Sequence, residues 1–126
     1  MNMQYSIPFY FLKLESLVIA ILSIYLYAYE GWRWSIFFLL WLIPDVGMIG
    51  YAINLKVGAI TYNLMHTYIG PLLLIIISLL IKEDNFLFIA IIWISHISID
   101  RLLGYGLKYQ SGFKNTTEQL LSQHNL

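Results

Sequence analysis

The chain has 126 residues, of which 60% are hydrophobic and only 11% charged, with no cysteine and a formal net charge of zero. Soluble domains carry about 25% charged residues, so this composition, with a mean hydropathy of +0.72, points to an integral membrane protein. No basic block is present to bind nucleic acid, and the missing thiols exclude disulfides, thiolate metal sites and a cysteine nucleophile.

Four apolar runs follow in chain order, each close to the ~20 residues that carry a helix across ~30 Å of hydrocarbon. The first, about residues 9–29, contains Lys13 and Glu15, and no small-x-small cleavage site follows it. It reads as a retained span, not a removed signal. The second, about 34–53, and the third, about 57–81, contain Pro44 and Pro71, each of which predicts a kink. Pro44 would open the backbone beside Asp45, where neighbouring helices or water can satisfy the freed carbonyl. The fourth run is about 86–105, and a polar tail over 106–126 is expected on the cytoplasmic surface. The linkers at 30–33, 54–56 and 82–85 are short enough to force sequential neighbours antiparallel. The expectation is therefore all-α: one domain over 1–126, an up-down four-helix transmembrane bundle. Lys13, Lys56, Arg101, Lys108 and Lys114 fall on one side and only Arg33 and Lys82 on the other. That bias places both termini in the cytoplasm. Membrane lipids are the expected partners, and a homo-oligomer is compatible with the pattern.

Five side chains inside these runs are ionisable or able to bind metal: Glu15, Asp45, His66, His96 and Asp100. A charge at this depth costs ~3 kcal/mol or more on insertion scales, so such residues tend to face a bundle interior and mark a site. At ~1.5 Å of rise per residue, Glu15 and Asp100 lie ~8–9 Å from the cytoplasmic ends of their spans, Asp45 ~12 Å, and His66 and His96 ~14 Å. All five fall in one slab about 6 Å thick by the same rise. His96 and Asp100 are four residues apart and stack on one helix face. Tyr62, Asn63 and His66 form a polar stripe on the third span, and Gly47 and Gly50 allow close approach of a neighbouring backbone. Two imidazoles and up to three carboxylates suit a divalent cation such as Zn²⁺, Mn²⁺ or Fe²⁺. The expected ligands are His66, His96 and Asp100, then Asp45, with Glu15 or Asp45 as general base on a bound water. The bland alternative is a set of hydrogen-bonded clamps between helices, with Arg101 and Lys13 neutralising Asp100 and Glu15. Arg101, Lys108 and Lys114 read first as topology determinants at the lipid headgroups, and second as a cluster holding a substrate phosphate near the metal.

Three stretches together resemble a bacterial membrane family, the domain-of-unknown-function family numbered 4260. They are P-D-V-G-M-I-G-Y (44–51), V-G-A-I-T-Y-N-L-M-H-T-Y (57–68) and H-I-S-I-D-R-L-L-G-Y-G-L-K-Y (96–109). The likeness covers about Leu12 to Thr116. It implies a small four-span protein of the bacterial cytoplasmic membrane with no settled activity. The polar pattern it carries over is Asp45, Asn63, His66, His96, Asp100, Arg101, Tyr105 and Lys108. Family members often read F-K-D-T-H in the tail where this chain has Phe113-Lys114-Asn115-Thr116-Thr117, which removes a tail histidine and acid from consideration as ligands.

Three functions compete at this point. A metal-dependent intramembrane hydrolase or transferase on a lipid-like substrate uses the shared depth of the polar residues. A proton- or cation-coupled carrier would relay charge through the same groups, but the two halves show no inverted similarity. An auxiliary subunit could hold a haem between His66 and His96, although Asp100 one turn from His96 is a poor neighbour for haem. A histidine-box oxygenase needs more than the three histidines present, and a carboxylate-bridged di-iron centre needs Glu-x-x-His pairs that do not occur here.

Overall fold

In the computed structural model the backbone is described for residues 3–107 and side chains from residue 7 onward; Lys108 and the rest of the tail lie outside the described residues. Among these residues every element is helical: α1 (Met3–Tyr29), α2 (Trp34–Trp41), a 3-10 segment (Ile43–Ala52), α3 (Leu55–His66), α4 (Ile69–Ile81) and α5 (Asp84–Leu103). Three stretches are long and apolar enough to cross a membrane: Ile7–Tyr29, Trp34–Ala52 and Asp84–Leu103. A fourth is the pair α3 and α4, bent by 44° at their junction. Large apolar side chains cover the outside, with Leu39 and Leu80 about three-quarters exposed (75% and 76%). Such a surface is compatible with burial in the hydrocarbon of a membrane.

In the second and third spans, where the sequence predicts kinks, the helix is broken outright, and proline accounts for both breaks. A proline cannot donate to the carbonyl four residues earlier, and its ring crowds that carbonyl. For Pro44 this residue is Leu40, and α2 stops at Trp41. For Pro71 it is Thr67, which has the extended φ/ψ of −99°/156° that separates α3 from α4.

From Ile43 the chain continues as ten residues of 3-10 helix, where runs beyond three or four are uncommon. With three residues per turn, positions 44, 47 and 50 stack in one column. These are Pro44, Gly47 and Gly50, and all three are buried. Val46, Ile49 and Ala52 form the exposed column. The small column lies directly on α3. A Cβ on Gly50 would come within 2.8 Å of the Val57 carbonyl, and one on Gly47 within 2.8 Å of the Thr61 carbonyl. Thr61 Oγ1 fastens the contact by donating to the Gly47 carbonyl at 2.6 Å.

α5 is the central helix, with α1, α4 and α2 packed around it. At one end an aromatic cluster of Tyr27, Trp32, Trp34 and Phe37 packs with Phe88, and the buried Tyr27 hydroxyl donates to the Arg33 carbonyl. At the other end Lys13 reaches from α1 to the last carbonyls of α5, those of Arg101 and Leu102, at 2.7 and 3.0 Å. A cation there satisfies acceptors that have no helical partner.

Candidate metal centre

His66 is the last residue of α3, Asp45 lies in the first turn of the 3-10 segment, and His96 and Asp100 are one turn apart on α5. The two proline-set breaks therefore each deliver a ligand candidate at a helix end. The end of α3 is tied to α5 by side chains that take up its unpaired carbonyls. Trp93 Nε1 donates to the Met65 carbonyl at 2.6 Å, and Arg101 reaches the His66 carbonyl at 3.4 Å.

These elements bring four polar atoms together. His96 Nε2 is 3.1 Å from Asp100 Oδ2 and 3.2 Å from Asp45 Oδ1. His66 Nε2 is 3.3 Å from each of the same two oxygens. The two Nε2 atoms are 3.2 Å apart, and no two of the four atoms are more than 4.8 Å apart. Pairwise hydrogen bonding does not account for this arrangement. A ring nitrogen has one lone pair or one N–H, in one direction, yet each Nε2 has three neighbours at nearly equal distance. The four atoms converge on a common point.

The spacing matches that of a coordination sphere. A tetrahedral ion with bonds of about 2.0 Å sets its donors about 3.3 Å apart. An octahedral ion with bonds of about 2.1 Å sets neighbouring donors about 3.0 Å apart and opposite donors about 4.2 Å apart. The five short edges suit either geometry, and the carboxylate pair is the one able to lie on opposite sides.

The surroundings prepare His66 as a ligand. Its Nδ1 donates to the Tyr62 carbonyl at 2.9 Å, and a carbonyl can only accept, so in the neutral ring the hydrogen sits on Nδ1 and Nε2 keeps its lone pair. This is the usual second contact of a metal-binding histidine. The ring also stacks on Tyr62, with centroids 3.8 Å apart and planes 7° from parallel. His96 packs against the Trp41 indole at 4.5 Å, and its Nδ1 is buried without a well-formed hydrogen bond. The side chains of His66, His96 and Asp100 are 2%, 0% and 14% exposed, that of Asp45 35%. Asp45 is thus the open side of the quartet.

The remaining candidates lie elsewhere. Glu15 is on the exposed face of α1, outside the quartet, where it bounds a small cavity with Tyr68 and Arg101. Asn63 is half-buried on α3 and not part of the cluster. Tyr105 is exposed just after α5, and its backbone N–H closes on the Asp100 carbonyl at 2.7 Å. The clamp alternative had Arg101 and Lys13 pairing with Asp100 and Glu15. Asp100 instead meets both histidines, and Arg101 reaches the His66 carbonyl and the Tyr68 ring. Sequence reasoning passed over Thr61, Trp41 and Trp93; a tryptophan one turn before His96 is the only signal that could have marked Trp93.

The profile of the family described as Domain of unknown function (DUF4260) matches residues 10–121. The chain belongs to that family. Four of the DUF4260 polar positions named from the resemblance, Asp45, His66, His96 and Asp100, are the quartet itself. Neither the curated proteins nor the solved structures contain a match to this chain.

Proposed function

We propose that this DUF4260 chain is a metal-dependent intramembrane hydrolase or transferase acting on a lipid-like substrate, with one divalent ion held by His66, His96, Asp100 and Asp45. The observation that carries the reading is the convergence of two imidazole nitrogens and two carboxylate oxygens, five of whose six separations are 3.1–3.3 Å. Zinc, manganese and iron(II) all accept this donor set. A bound divalent ion supplies Lewis acidity and lowers the pKa of a coordinated water.

The protein residues divide the work by burial. His66, His96 and Asp100 are enclosed and hold the ion. Asp45, the most exposed and carried on a 3-10 segment, has room to move, which suits it to accept a proton from water as general base. Glu15 is too far outside the quartet to be favoured for that role. An apolar cleft of about 170 Å³ is lined by Pro44, Met65, Ile92 and Trp93. Two of these residues adjoin Asp45 and His66 in the chain, and Ile92 lies one turn before His96. An apolar chain fits there better than a sugar or a peptide.

The proposal places the protein in the bacterial cytoplasmic membrane, with four spans running up and down and both termini on the cytoplasmic side. The bias of lysine and arginine and the short linkers support that orientation. A cation-coupled carrier would use the same donors; pH-dependent ion flux in vesicles, without turnover of any lipid, would favour it. The first test is elemental analysis of detergent-purified protein after exposure to Zn²⁺, Mn²⁺ and Fe²⁺. The reading requires one ion per chain in the wild type and none in His96→Ala. Absence of a stoichiometric ion from the wild type refutes it.

A further inference from the structure

α1 and α4 both pack on α5 but scarcely meet each other, so α5 is the floor of a groove between them. The groove is a cavity of about 410 Å³, with Leu22, Leu26, Leu72, Ile75, Ile91 and Ile94 in its walls. At about 30 Å³ per methylene, the share a water takes in its liquid, this is room for roughly 14 methylenes. Ser23, the one hydroxyl of α1 in the lining, is turned back to the Ala20 carbonyl. The groove is hydrocarbon in character along its length.

Its end toward the C-terminus of α5 is different. There it meets a second cavity of about 190 Å³ bounded by Glu15, Ser16, Tyr68 and Arg101, and Ile19 and Tyr68 line both. Arg101 has no carboxylate partner among the described residues. Its guanidinium lies 4.7 Å over the Tyr68 ring and, among the described residues, donates only to the His66 carbonyl at 3.4 Å. The Tyr68 hydroxyl is buried and has no hydrogen-bond partner among the described residues. Unpaired buried hydroxyls are rare and call for a missing partner. That hydroxyl is closed off from solvent, so what the mouth of the apolar tube presents is one cation, Arg101, and one anion, Glu15.

We propose that this groove binds one acyl chain of an aminophospholipid, whose phosphate is held by Arg101 while its ammonium group faces Glu15. A zwitterionic head complements the mouth, which presents both signs of charge. A single-sign head leaves one of the two charges unpaired. On α5 the groove positions 87, 91, 94 and 101 fall on the opposite side of the helix from 92, 96 and 100 at 100° per residue. The acyl groove therefore lies across α5 from the metal centre, and the two meet at Arg101, which also reaches the His66 carbonyl.

The test uses the full chain, purified in detergent, stripped of lipid and titrated by native mass spectrometry. The probes are phosphatidylethanolamine, phosphatidylglycerol and diacylglycerol with identical acyl chains. A single phosphatidylethanolamine adduct is expected at concentrations about tenfold below those needed for diacylglycerol, the worth of one hydrogen bond to a charged group. Leu72→Trp and Ile75→Trp, at positions that face the groove without lying in the core, weaken it by a similar factor and leave the metal content unchanged. Glu15→Gln narrows the preference over phosphatidylglycerol, and Arg101→Gln narrows the preference over diacylglycerol. Equal retention of phosphatidylethanolamine and diacylglycerol by the wild type overturns the proposal. So does a ladder of several adducts indifferent to both tryptophan variants, which is annular lipid only. A dimer that the tryptophan variants dissociate would assign the groove to a second copy of the chain instead.

Discussion

Replacing Gly47 with alanine tests whether the 3-10 segment positions a ligand or merely crosses the membrane. The added Cβ would stand 2.8 Å from the Thr61 carbonyl and 3.1 Å from Tyr62 Cα, both backbone atoms of α3. An ordinary contact is about 3.4 Å or more, so the segment must retreat by roughly 0.6 Å. The atom in the way at Thr61 is a backbone carbonyl of α3, so no side-chain rotation eases the contact. Asp45 is two residues from the point of collision and must bind together with His66, which is carried by α3 itself. Metal–ligand bonds tolerate about 0.2 Å, a third of the displacement. Overpacking of this kind costs about 1–3 kcal/mol, and misplacing a ligand through its support loses about 10–100-fold in metal affinity. The assay is competition for the ion against a chromophoric chelator, beside thermal unfolding in the same detergent. Gly31→Ala is the control. Gly31 has φ +72° and nothing within 4 Å of an added Cβ, so it carries a backbone cost of about 1–2 kcal/mol at the far end of the protein. If Gly47→Ala and Gly31→Ala bind the ion equally well, the 3-10 segment does not set the position of Asp45 and the reasoning fails.

Two further outcomes follow from the same geometry. Trp93→Phe removes the donor to the Met65 carbonyl, and by the usual worth of such contacts in membranes the loss is about 0.6–1.7 kcal/mol; ion affinity should fall with it because His66 is the next residue, and unchanged affinity would detach α3 from the site. Chelation should lower the unfolding temperature of the wild type, by an amount equivalent to about 2.7 kcal/mol where the free ion had been 100 times its dissociation constant, and should leave His96→Ala untouched; an equal shift in both proteins would mean that the chelator acts elsewhere.

The extent to which this arrangement was legible differs from residue to residue. Apolar run length located the stretches long and apolar enough to cross a membrane, because the length that crosses hydrocarbon is fixed by helical rise. Depth counting brought Asp45, His66, His96 and Asp100 to one level, and the structure joins those four. It also brought Glu15 there, and failed, because depth says nothing of rotation about the helix axis: Glu15 points off the exposed side of α1. The proline positions indicated kinks but not their size. Pro71 separates α3 from α4 entirely, since Thr67 is both the residue its ring crowds and the first residue past His66. The conversion of 43–52 to 3-10 helix had a signal that was not used, namely the spacing of three between Pro44, Gly47 and Gly50. Read as a period, it describes a helix of three residues per turn with its small column against a neighbour. The partners of the ligands were not legible at all. That His66 Nδ1 meets the Tyr62 carbonyl, and that Trp93 closes the end of α3, depend on backbone groups whose availability appears only once the helix is known to stop.

The quartet admits one serious competitor to a metal, a network in which protons alone hold the two carboxylates, and the substitution Asp45→Asn separates them by sign. The carboxylate oxygens lie no more than 4.8 Å apart, so two ionised groups repel by about 3.5 kcal/mol at an effective dielectric of 20. If the resident cation is a metal, stripping it exposes that repulsion. The neutral isostere relieves it, so stripped Asp45→Asn should be at least as stable as stripped wild type, while the loaded variant is weaker than loaded wild type because it has lost an anionic ligand. If protonated histidines hold the carboxylates, Asp45 contributes an ion pair whether or not metal is supplied. The substitution then costs the same with and without chelator. Four unfolding curves, wild type and variant, loaded and stripped, contain the answer: a crossing of the two pairs assigns the centre to an ion, and parallel destabilisation assigns it to protons.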